Sequence, residues 1–178
     1  MIDIQNKSRC CGCTACYSVC SRKAIKMEPD ALGFLYPQVD LSKCVNCGLC
    51  EKVCPFININ CRNPSKDFDS PYCFAVRHKN IDEVKRSRSG AAFIALSNTI
   101  LKLGGIVYGA AFDSNLVVRH QRAETPQERD MFRGSKYVQS TMRESFDLIK
   151  KDLDQGLSVL FSGTSCQVDG LKKFIPLS

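Results

Sequence analysis

Histidine is scarce in this sequence, and long apolar runs are missing. Only His78 and His120 occur, and no Ser–His–Asp spacing accompanies them, so hydrolytic catalysis has no support. No stretch approaches the ~18 apolar residues of a spanning helix, which excludes a membrane span. The opening residues, MIDIQNKSR, lack the apolar core of a secretory signal. The 25 Lys and Arg are dispersed among 18 Asp and Glu with no recognition motif, so nucleic-acid binding is a poor reading. What remains is an ordinary soluble composition, 44% hydrophobic and 24% charged over 178 residues, with room for one domain of usual size and a smaller one.

Cysteine is abundant. Of 12 cysteines, nine lie between residues 10 and 54. Residues 10–20 read CCGCTACYSVC and residues 44–54 read CVNCGLCEKVC. Each run contains C-x2-C-x2-C-x3-C, the bacterial ferredoxin spacing, and the second is followed by Pro55. Three closely spaced thiolates wrap one cubane cluster, and the fourth reaches across to the other. One [4Fe–4S] cluster is therefore expected on Cys10, Cys13, Cys16 and Cys54, and a second on Cys44, Cys47, Cys50 and Cys20. A single C-x2-C is equally a zinc pattern; two full runs are far more specific. Disulfides are disfavoured, because thiolates in a reducing, cytoplasmic compartment meet iron rather than each other. Each cubane with its four thiolates carries −2, so the formal charge of +7 falls to about +3 when both are counted. The front then becomes mildly acidic and the rear basic, which fits a phosphate-bearing cofactor or an acidic redox partner protein behind it.

The order of segments predicts an α+β chain. Residues 1–60 form the two-cluster domain, 61–71 a linker, and 72–178 an α/β domain that looks truncated. A first strand is expected within 1–9, from the alternation of Ile2 and Ile4, and a hairpin or loop around Gly33 within 28–42. Phe34, Leu35 and Tyr36 have two readings, shielding a cluster from water or plain core packing. Cys11 lies outside the spacing and reads as a bystander thiol. Further strands are expected at 72–78, 106–112, 116–118 and 157–161. A helix over 91–103 buries Phe93, Ile94, Leu96, Ile100, Leu101 and Leu103, with Ser87 or Ser89 as its cap. A short helix over 125–134 has Thr125 as cap and Pro126 at its first position. A helix over 141–154 turns Met142, Phe146, Ile149 and Leu153 inward, and another begins within 168–175.

Two stretches outside the runs suggest chemistry. Lys85-Arg86-Ser87-Arg88-Ser89-Gly90 precedes a helix, where free N–H groups and the positive dipole end receive a phosphate; the plain reading, a cap with a solvated basic run, is stronger on the residues alone. Ser162-Gly163-Thr164-Ser165-Cys166-Gln167 opens a helix, where a cysteine has a lowered pKa and serves as ligand or nucleophile; inert packing is the rival reading.

The runs GFLYPQVDLSKCVNCGLCEKVCP, SRSGAAFIAL, GGIVYGAAF, GSKYVQS and VLFSGTSCQVDGLK resemble the coenzyme F-420 hydrogenase/dehydrogenase beta-subunit family, which includes bacterial relatives encoded with polysaccharide-synthesis genes. The resemblance covers nearly the whole chain from about residue 10. It implies FAD beside the iron–sulfur clusters, electron exchange with a deazaflavin such as coenzyme F-420 or with another acceptor, and a longer polypeptide. By resemblance, Ser87, Ser89 and Gly90 lie near the flavin or its phosphates. Gly134, Ser135, Lys136 and Tyr137 match a further motif, and Cys166 matches the cysteine of a Gly-Thr-Pro-Cys-Gln turn that holds an additional cluster. Ser165 replaces that turn's proline, and the later cysteines are absent, which argues against a third cluster. Cys61 and Cys73 are the remaining thiols that can stand in for them. The expectation is an iron–sulfur oxidoreductase relaying electrons to or from a flavin; the alternative is a ferredoxin-like carrier without flavin or activity of its own. No catalytic acid or base is nameable.

Overall fold

A computed structural model describes residues 1–57, 72–142 and 144–176. The linker expected at 61–71, with Cys61, lies outside the described residues. The chain mixes helices and strands and divides into two compact units. The first gathers Met1–Arg62, Thr141–Leu148 and Gly163–Ser178; the second gathers Asn63–Ser140 and Ile149–Ser162.

In the first unit the expected strand within 1–9 is absent. Ile2 is buried without strand pairing, and a 3-10 turn follows at Lys7–Arg9. Helix α1 (Ala15–Val19) and helix α2 (Leu49–Lys52) are single turns placed within the two cysteine runs. Between them, β1 (Ile25–Pro29) and β2 (Leu35–Val39) form an antiparallel hairpin, with Ile25 opposite Val39 and Pro29 opposite Leu35. Asp30 makes the connection: its carboxylate accepts from the N–H groups of Leu32 and Phe34, at 3.0 and 3.1 Å, and Gly33 takes the left-handed backbone the turn requires. One buried cluster of this unit is Ile2, Ile25, Cys16, Cys50 and Cys54, ringed by Ile4, Met27, Val39 and Phe56 among others. Cysteine thus supplies much of what aliphatic side chains provide elsewhere.

The second unit is built on a three-stranded sheet of order β4-β3-β5. Strand β3 (Ile106–Phe112) pairs antiparallel with β4 (Val118–Ala123) and parallel with β5 (Val159–Phe161). The expected strand at 116–118 is displaced: Leu116 and Val117 belong to the Asp113 turn, whose carboxylate accepts from Asn115 and Val117 N–H, and pairing begins at Val118. Residues 72–78 carry no strand pairing and stay exposed apart from half-buried His78. Helix α3 (Ile81–Arg86) precedes α4 (Ala92–Lys102), whose cap is Ala91 in left-handed backbone with no side-chain cap bond, rather than Ser87 or Ser89. Ile94 is buried, and Phe93, Ile100 and Leu101 pack on Val107, Ala111, Ala123 and Phe132, whereas Leu96 and Leu103 are exposed, contrary to expectation. Helix α5 (Pro126–Asp130) has the expected Thr125 cap, closed into a capping box by Glu128. Helix α6 (Ser145–Asp154) buries Phe146 and Ile149, with Met142 buried just before it, but leaves Leu153 largely exposed.

One polar network holds the sheet. Fully buried Tyr108 donates its hydroxyl to Asp152 at 2.7 Å, and Arg122 grips the same carboxylate through Nε and Nη2 at 2.8 and 3.0 Å. The guanidinium holds the Asp152 pKa below the usual carboxylate range. His120 stacks on Phe161 at 5.1 Å, donates from Nε2 to the Ser162 carbonyl and accepts from the Ser140 hydroxyl at Nδ1. Burial lowers its pKa, so it is held as the neutral imidazole.

Candidate iron–sulfur site

The two cysteine runs repeat one backbone course. Two residues after each first cysteine, Gly12 (φ 62°) and Asn46 (φ 51°) are left-handed; so are Thr14 (φ 64°) and Gly48 (φ 76°), each directly after the second cysteine. Thr14 and Gly48 then cap α1 and α2. These reversals turn successive cysteines toward one side of each loop. A β-branched residue such as Thr14 in this region is an outlier, since its Cβ meets the backbone carbonyl.

Each loop faces a hollow. The first is lined by Cys10, Cys11, Cys13, Cys16 and Cys54, with Ile2, Ile4, Met27 and Phe56 as apolar walls. The second is lined by Cys20, Cys44, Cys47 and Cys50, with Ile25, Val39 and Leu49 among its walls. Of the eight spaced cysteines, each hollow draws three from one run and the fourth from the other. Phe34, Leu35 and Tyr36 line neither hollow. Tyr36 instead lies under the Lys7 ammonium, 4.9 Å from its ring centre.

The lining suits a cluster better than a single ion. Among the described residues, no three His, Cys, Asp or Glu side chains converge as the ligands of one metal ion. Zinc needs sulfurs about 2.3 Å from a common centre, whereas a cubane needs thiolates spread around a volume, with N–H groups pointing at sulfur. Such donors are present. Ile2 N–H points at Cys50 Sγ (3.3 Å), Ala24 N–H at Cys20 Sγ (3.3 Å) and Asn46 N–H at Cys44 Sγ (3.4 Å). Burial pushes the Cys16 thiol up to about 12 and raises Cys10. Desolvated thiolates need a bound cation in place of their protons. Lys173 adds charge nearby, donating to the Cys54 carbonyl at 3.1 Å.

Two features here escaped the sequence. Thr14 lines the first hollow at 2% exposure, and its hydroxyl has no hydrogen-bond partner among the described residues. The available signal was a threonine standing where the second run has Gly48. Cys11, read as a bystander outside the spacing, lines the first hollow beside the spaced cysteines. Cys166 lies in the first turn of α7 (Ser165–Phe174), which starts before the expected 168–175 and is closed by a Thr164–Gln167 capping box. Its pKa is raised, first by the bond to Cys11 and then by burial, contrary to the lowering expected at a helix start.

The Ser87–Gly90 loop is less open than its composition suggests. Lys85 and Arg86 end α3, and Arg86 reaches Asp130 at 2.8 Å. Ser87 Oγ donates to the Glu83 carbonyl and accepts from Arg133, which also binds the Glu83 carboxylate at 2.5 Å. Gly90 backs onto the chain: a Cβ there would sit 2.4 Å from the Val76 carbonyl oxygen. Of the 134–137 motif, Lys136 donates to the Met131 and Arg133 carbonyls, and Tyr137 is almost wholly exposed.

Residues 9–58 match the family model described as a 4Fe-4S dicluster domain. The front of the chain is thus a ferredoxin-like iron–sulfur module, and electron transfer through 4Fe-4S clusters is its chemistry. No curated protein matches the chain. Among the described residues, no helix is long and apolar enough to cross a membrane.

Proposed function

We propose that this chain relays electrons through two [4Fe–4S] clusters, one on Cys10, Cys13, Cys16 and Cys54, the other on Cys20, Cys44, Cys47 and Cys50, to or from a flavin in an oxidoreductase resembling coenzyme F-420 hydrogenase/dehydrogenase beta subunits. The observation that carries the cluster assignment is the division of eight cysteines between two hollows, each completed by the other run's fourth cysteine. Bound there, the clusters supply reversible one-electron transfer. The chain's residues hold them by thiolate, exclude water with the apolar walls, and stabilise added negative charge through N–H groups aimed at sulfur. The flavin assignment rests on the resemblance of Ser87, Ser89 and Gly90. The second reading, a carrier without flavin, is favoured by the engagement of Ser87 with Glu83 and Arg133 and by the close backing of Gly90. One oxygen-free preparation separates these readings. About eight iron and eight sulfide per chain with released flavin support the oxidoreductase, the same counts without flavin after reconstitution support the carrier, and iron-free protein refutes both.

Thr14 has a role in this scheme. Its buried, unpartnered hydroxyl lines the first hollow, where a cluster sulfur is the acceptor it lacks. A hydrogen bond to sulfur stabilises the reduced, more negative state. Thr14→Val is therefore expected to lower one of the two potentials by roughly 40 mV, the one-electron equivalent of a bond worth about 1 kcal/mol. Thr14→Ser should retain the native value. EPR-monitored titration reads both couples, and unchanged potentials in Thr14→Val would remove this role.

A further inference from the structure

The two cysteine loops share a backbone course, yet one is covered and the other is open. Cys13 and Ala15 are 9% and 0% exposed; at the matching places of the second run, Cys47 is exposed and Leu49 is 39% exposed. Helix α7 lies over the first loop. A Cβ at Gly170 would stand 3.0 Å from Ala15 Cβ, 3.4 Å from Cys13 Sγ and 3.7 Å from the Phe146 ring. Glycine, with no side chain, lets the helix seat this closely. One turn later, on the same helix face, Lys173 donates from Nζ to the Cys54 carbonyl at 3.1 Å. That bond joins α7 to the close of the second run across 119 residues of sequence. Phe174 packs on fully buried Phe146, with ring centres 5.6 Å apart. A helix of ten residues is marginal by itself, so contacts of this kind hold it in place.

We propose that α7 is the closing wall of the first cluster site, seated by Gly170 and tied down by Lys173. This rests on the cluster reading above and extends the iron–sulfur unit beyond residues 9–58, where the family match ends. Gly170 and Lys173 are positioning residues, since neither supplies a ligand to iron. The wall keeps water from the part of the loop that carries Cys13, whereas the second loop stays open to solvent at Cys47. Excluding water disfavours the more negative, reduced state of a cluster. The covered site is therefore held at a lower potential than it would have uncovered.

The test is hydrogen exchange, read peptide by peptide on anaerobically purified, cluster-loaded protein with iron and sulfide counted in parallel. In the wild type, the amides of residues 11–19 should exchange more slowly than those of residues 45–53. Lys173→Met should speed exchange across 11–19 about tenfold, the equilibrium equivalent of one charge-assisted hydrogen bond, and leave 45–53 unchanged. Lys173→Arg should restore the slow exchange. Gly170→Val, which pushes α7 off Ala15, should speed the same segment and raise one of the two potentials in an EPR-monitored titration. Should Gly170→Val lose its iron, Lys173→Met still reads the wall, because it leaves the seat at Gly170 intact. The proposal is overturned if 11–19 exchanges no faster in Lys173→Met than in the wild type. It is also overturned if both segments speed up alike, which marks general loosening of the unit. Failure of the cluster reading looks different, since iron and sulfide would then be missing from the wild type at the outset.

Discussion

Removing iron anaerobically with a chelator is expected to unfold residues 1–57 while the β4-β3-β5 sheet keeps its hydrogen bonds. The reason lies in what each unit has for a core. In the first, three of the five residues in the buried cluster around Ile2 and Ile25 are Cys16, Cys50 and Cys54. Helices α1 and α2 are five and four residues long, far below the ~12 at which a helix persists alone. A lone two-stranded hairpin is marginal in water. Without metal, the hollows leave buried thiols facing empty volume, and the strained backbone at Thr14 has nothing to offset it. The second unit has Val107, Ala111, Ala123 and Phe132 packed under α4, and the buried Tyr108–Asp152–Arg122 network. Hydrogen exchange before and after chelation reads the two units separately. Retained protection across Ile25–Val39 in iron-free protein would show that the fold stands without metal.

The second large effect concerns which cysteines share a cluster. If the quartets cross between the runs, the double substitution Cys10→Ser with Cys54→Ser removes one cluster and leaves about four iron per chain. Cys10→Ser with Cys20→Ser removes a ligand from each and leaves about none. An uncrossed arrangement, with each run serving its own cluster, reverses the two counts. The comparison is internal, because each variant loses two thiols and similar volume. Iron and sulfide assays on material prepared side by side decide it, and four iron in the Cys10/Cys20 variant would refute the crossed assignment.

The cysteine runs were legible because ligand spacing is local: a single loop sets the positions of three sulfurs, and sequence separation reports it directly. The turn around Gly33 and the Thr125 cap were legible for the same reason. Long-range placement was not. Nothing near Cys13 in sequence records that α7 packs against it, and Gly170, where a Cβ would stand 3.4 Å from Cys13 Sγ, reads in isolation as a poor helix residue. Strand β4 was misplaced because its polar sequence, VRHQRA, buries Val118, His120 and Ala123, with His120 satisfied by Ser140 and Ser162. The hydrophobic Leu116 and Val117 were drawn into a turn by Asp113. The basic run at 85–88 suggested an anion site, but Glu83 and Asp130, distant from each other in the chain, take up Arg86 and Arg133.

The matched left-handed positions, Gly12 with Asn46 and Thr14 with Gly48, mean that the main chain treats its two sulfur-bearing loops as copies. A difference in how readily each accepts an electron must then come from the side chains hung on that shared scaffold and from their surroundings. A hydroxyl facing one centre and a bare hydrogen at the matching point of the other would give the current a preferred direction without altering the path of the polypeptide.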